Sequence, residues 1–118
     1  MTWPLIGALG VNILVLVPVI SGLMAAAPGV DVPFGPATPA RGILMSVYIS
    51  IMLVSAALIL AHWQGAPWAV PATLALFAVQ IVYKATTVAV IGLGNPVVLT
   101  NTAVIAIQLA AVTLWWRG

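Results

Sequence analysis

The chain has no cysteine and no glutamate, one aspartate, one histidine and three basic residues. Without cysteine there is no disulfide, no thiolate nucleophile and no thiolate metal site. One His and one Asp do not close an ordinary metal centre, so no metal ligands are assigned. The charged residues are Asp31, Arg41, Lys84 and Arg117, 3% of 118 residues. A soluble domain has about a quarter of its residues charged. A surface of this composition cannot face water, so the solvent of the fold is expected to be lipid. There is no basic patch, and nucleic-acid binding is excluded.

Apolar residues, 64% of the chain, are gathered into four runs. Each reaches the roughly 20 residues that cross a bilayer. The expected spans are residues 5–24, 43–61, 68–91 and 97–116, in one domain covering 1–118. The start, MTWPLIGALG, has no basic segment, and the apolar run after it is long for a signal sequence, so it is read as a retained span. The expected fold is all-α, an integral membrane four-helix bundle with antiparallel up-down transmembrane helices.

Punctuation supports these limits. Pro4 suits a first helical turn, and Pro18, inside span one, predicts a kink. Residues 25–40 hold four prolines and two glycines and read as a connector. The connector is unusually apolar, through Val30, Val32 and Phe34, and is expected on the membrane surface or against a partner. Thr38-Pro39 has the form of an N-cap followed by proline at the first helical position. The short link around Gly65 makes spans two and three neighbours. Gly92 to Pro96 closes span three and, through Asn95 and Pro96, opens span four.

In an up-down bundle all five tryptophans, Trp3, Trp63, Trp68, Trp115 and Trp116, fall at one interface as an aromatic belt. Arg41 and Lys84 lie toward the other. Counting basic residues then puts the termini outside and the loops nearest Arg41 and Lys84 in the cytoplasm of a bacterial-type inner membrane.

The polar residues inside the spans are patterned. Thr73, Gln80, Lys84 and Thr87 follow spacings of 7, 4 and 3 and share one helical face, with Tyr83 beside it. Arg41, Tyr48, Ser55 and His62 recur every seven residues along span two. Asn101 and Gln108 do the same in span four, and Asn12 sits near the middle of span one. Lys84 is seven residues from Ile91, about 10 Å below that interface at 1.5 Å per residue. Tyr48 lies at a similar depth and Asn101 somewhat shallower. If these faces point inward, Lys84, Tyr48, Gln80 and Asn101, with Tyr83, line one polar pocket. Asp31 lies in the connector above, is grouped with these five as a ligand-binding residue, and would pair with Lys84 or Arg41.

An intramembrane lysine is a functional hypothesis by default, here a site for a lipid headgroup or a quinone-like carbonyl. The structural alternative is a lysine that reaches to the headgroups among polar residues that only join helices. Asn12, Ser55 and Gln108 are assigned to such helix packing. His62 is expected at the tryptophan-rich interface among headgroups. In this topology Asp31 and His62 belong to opposite faces, which rules out a Ser-His-Asp relay. No catalytic residue is assigned, and no cofactor is expected beyond a bound lipid or quinone.

Span one has no glutamate of the kind small multidrug transporters use, and the chain lacks the arginine-bearing glycine motif of fluoride channels. Four features match another group: the Pro-containing first connector, Ala40-Arg41-Gly42 before span two, Lys84 late in span three, and Gly94-Asn95-Pro96 before span four. In this layout the chain resembles DoxX-like small four-helix membrane proteins. That resemblance implies the bundle and no particular activity. The expected function is non-catalytic: an accessory or structural subunit packing against other membrane proteins or copies of itself. The support is two small-xxx-small pairs, Ser46/Ser50 and Ala106/Ala110, together with the apolar connector and the shortage of chemical groups. The rival is a lipid- or quinone-binding protein, or a small transporter, using the Lys84 pocket.

Overall fold

The computed structural model describes residues 1–26 and 29–118. Ala27, Pro28 and the Val32 side chain, all within the expected connector, lie outside the described residues. The chain is all-helical: α1 (Trp3–Met24), α2 (Asp31–Phe34), α3 (Pro39–Trp63), α4 (Ala69–Ile91) and α5 (Pro96–Arg117). The four long helices are long and apolar enough to cross a membrane. At 1.5 Å per residue, 22 residues span about 33 Å, slightly more than a bilayer's hydrocarbon core.

Each long helix starts close to its expected position. Asn95 caps α5 as its sequence context predicts, its side-chain oxygen accepting from the Val97 amide at 2.8 Å. Thr38 precedes Pro39 as the N-cap of α3 but makes no side-chain cap bond. The helix therefore begins on proline's preset φ rather than on a side-chain acceptor. Pro18 lies inside α1, which continues through it to Met24.

The long helices close a ring. α1 packs on α3 and α5, and α4 packs on α5 and α3, with the α3–α4 interface the least extensive of the four. Toward Trp3 the core is apolar and drawn from every long helix: Leu5, Ala8 and Leu9, Leu58, Phe77, and Ala111. In the half holding Leu23 and Tyr48 the buried apolar cluster is Leu16, Ile20, Leu23, Tyr48 and Ile51, from α1 and α3 alone. Meanwhile Leu14, Leu53, Val79, Val82, Val90 and Leu99 are exposed, while Asn12, Ser55, Gln80, Lys84 and Gln108 are buried. That is the reverse of a water-soluble surface.

Part of the connector folds onto the bundle. It forms the one-turn α2, and Val30 and Phe34, both partly buried, pack against the chain's own α1/α3 cluster. The small-residue pairs do not serve the bundle, since Ser46, Ser50, Ala106 and Ala110 all lie exposed.

Candidate functional site

The polar faces of the four helices do meet, but at three levels. At the tryptophan-bearing ends, His62 Nε2 lies 2.9 Å from Thr73 Oγ1. The threonine's single hydroxyl hydrogen goes to the Ala69 carbonyl at 2.8 Å, so the imidazole nitrogen is the donor and carries the proton. His62 thus joins α3 to α4, where the sequence had suggested a contact with headgroups.

About halfway along the bundle, one polar residue from each long helix joins a network. Asn12 Nδ2 donates to Ser55 Oγ at 3.1 Å and to Gln80 Oε1 at 2.9 Å. Gln108 Nε2 donates to Gln80 Oε1 at 2.8 Å and to Asn12 Oδ1 at 3.3 Å. Gln80 Nε2 returns a longer bond to Asn12 Oδ1 at 3.4 Å. Among the described residues, Gln108 Oε1 is the one buried side-chain polar atom without a partner. Asn12, Ser55 and Gln108 take the helix-joining role read from the sequence. Gln80 joins them as well as facing the pocket.

Beyond this network lies a cavity of about 210 Å³. A water's share of liquid volume is about 30 Å³, so this is space for more than an isolated water. Asn12 and Gln80 form its floor, and Leu16, Ile51 and Val104 are among its apolar walls. Lys84, Tyr48, Tyr83 and Asn101 also line it. Five of the six residues the sequence grouped as a binding site therefore share one cavity. Asp31, the sixth, does not line it.

Asp31 is instead held by the Arg41 guanidinium, which also donates to the Gly35 carbonyl at 3.0 Å. Its side chain is 74% exposed, whereas Arg41 is buried. The ion pair fastens α2 over the cavity, where Pro33 and Phe34 complete the lining. Two other contacts hold α2. Asn95 Nδ2 donates to the Pro33 carbonyl at 3.0 Å, and the Phe34 ring sits edge-on to Tyr48 with centroids 6.2 Å apart.

Lys84 is only 6% exposed, so it does not reach out to an interface. Among the described residues its ammonium group has no hydrogen-bond or ion-pair partner. It lies over the Tyr83 ring at 5.9 Å, near the outer limit of a cation–π contact. The side chains of Tyr48, Tyr83 and Asn101 likewise have no hydrogen bond among the described residues, yet none is sealed off, because all line the cavity.

Sequence reasoning missed the place of Asn12 in the floor and of Pro33 and Phe34 in the roof. The first was within reach. Asn12, Ser55, Gln80 and Gln108 each lie near the middle of their own helix, and equal depth would have placed them together. The roof had no such signal, since neither Pro33 nor Phe34 carries a polar group or a periodic partner. No protein-family model, curated protein or solved structure matches the chain.

Proposed function

We propose that the chain is an integral membrane protein of four antiparallel, up-down spans that binds an amphipathic small molecule taken from the bilayer. One observation carries this reading: a cavity with apolar walls into which Lys84, Tyr48, Tyr83 and Asn101 present polar groups that have no partner among the described residues. Burying polar groups costs free energy unless they are bonded. A ligand with a polar head and an apolar body satisfies both kinds of surface. Binding, or carriage across the membrane, is within reach of such a site. No chemistry is assigned to the cavity.

The membrane reading rests on the apolar exterior and buried polar residues. In the proposed arrangement the exposed Trp3, Trp63, Trp68 and Trp116 form one interfacial belt. The opposite side carries Arg41 and α2 and is assigned to the cytoplasm of a bacterial-type inner membrane, with the termini outside.

A second reading, an accessory subunit or homo-oligomer, is favoured by the outward position of Ser46/Ser50 and Ala106/Ala110, which leaves two faces open to close helix approach. Native mass spectrometry of the protein released gently from its own membrane separates the two. A monomer carrying one defined small-molecule mass is the expected result. A bare chain migrating with larger subunits at fixed stoichiometry would overturn it in favour of the accessory role.

A further inference from the structure

We infer that the cavity selects a ligand with one negative charge, an acyl chain ending in a carboxylate or a lipid whose head carries a phosphodiester anion, over a neutral carbonyl compound such as a quinone. This rests on the small-molecule reading above and narrows it.

The argument is one of charge. Among the described residues, Lys84 is the only charged one lining the cavity. The chain has a single acidic side chain, Asp31, and Arg41 holds it outside the cavity. The protein therefore has no carboxylate side chain left with which to neutralise Lys84. An ammonium ion held in low dielectric without a counter-ion is costly. A neutral ligand would leave that charge uncompensated, whereas one anion cancels it. With Lys84 the one cation among the described lining residues, the count is set at one.

Hydrogen-bond supply points the same way. The ammonium offers three donors, the two tyrosine hydroxyls one each and the Asn101 amide two. The surplus of donors calls for an acceptor-only group with several lone pairs, which a carboxylate or phosphate is and a lone quinone carbonyl is not. The roof sharpens the selection, since Pro33 and Phe34 cover the cavity with apolar surface and offer no competing acceptor side chain.

The test uses the whole protein in a non-ionic detergent with three probes: oleate, oleyl alcohol and phosphatidylglycerol. Retention is read by native mass spectrometry and affinity by competition. Oleate should be held at least about tenfold more tightly than the alcohol, the gain expected of a charge-assisted bond over a neutral one. In Lys84→Met that preference should vanish while alcohol binding persists, and Lys84→Arg should keep it. Should Lys84→Met fail to fold, the wild-type comparison and Lys84→Gln still decide. Equal affinity for oleate and alcohol in the wild type would overturn the anion inference and leave the small-molecule reading standing. Retention of none of the probes would overturn both. Displacement of oleate by phosphatidylglycerol identifies a lipid phosphate as the head, and retention of oleate alone identifies a free fatty acid. Either pattern supports the charge selection.

Discussion

The two halves of the bundle use the same four helices differently. In the half toward Trp3, every long helix contributes to one dry cluster, with Phe77 reaching in from α4 and Ala111 from α5. In the half toward α2, α1 and α3 still pack through Leu16, Ile20, Tyr48 and Ile51. There α4 and α5 bring Lys84 and Asn101, and a cavity lies between them. The midplane network of Asn12, Ser55, Gln80 and Gln108 separates the halves. The contrast teaches that the open space is local. It arises where polar side chains replace the apolar fillers on two of the four helices, while the other half holds the helices in place.

The sharpest test of the contrast is the same substitution made in both halves on one helix. Leu9→Ala leaves a void in the dry cluster and should fall toward the upper end of the roughly 2–5 kcal/mol typical of buried leucines. Leu16→Ala merely enlarges an existing cavity and should fall toward the lower end. Equal losses, measured by chemical denaturation in micelles, would mean that the halves are not differently packed. Breaking the boundary between them comes next. Gln80→Leu removes the acceptor of both Asn12 Nδ2 and Gln108 Nε2. Interhelical hydrogen bonds in membranes average about 0.6 kcal/mol, with a maximum near 1.7. A loss of about 1–2 kcal/mol is therefore expected, and a gain in the same denaturation assay would show that the network is not holding the helices.

Asn95→Ala acts on the roof. It removes the α5 cap and frees the Pro33 carbonyl. A loss of about 1 kcal/mol is expected from the cap, together with faster hydrogen exchange in 31–34. Unchanged exchange there would mean that Phe34 and the Arg41–Asp31 pair suffice to hold α2 down. The smallest effect is expected from Asp31→Asn, since an ion pair with one exposed partner contributes about 0–1 kcal/mol. Oleate binding should not change, because Asp31 serves Arg41 and not Lys84. A clear drop in affinity would return Asp31 to the ligand site where sequence reasoning had put it.

Much of this was legible in the residues themselves. Apolar run length set the four long helices, and Asn95 and the prolines marked the starts of α1, α3 and α5, because capping and φ restriction are local effects. The near absence of charge pointed to the apolar exterior that the four helices present. Seven-residue spacing put Tyr48, Ser55 and His62 on one face of α3, and four-residue spacing put Lys84 with Gln80 on one face of α4, because helical period needs no partner to define it. Only the tertiary structure decided how each face was turned about its axis and what it met. The choice of Arg41 over Lys84 by Asp31 depended on where α2 folds back. The donor role of His62 depended on the position of Thr73, and the lack of a carboxylate beside Lys84 followed from the pairing of Asp31 with Arg41. Contacts between distant segments arise from packing four helices at once, and no run of neighbouring residues encodes them.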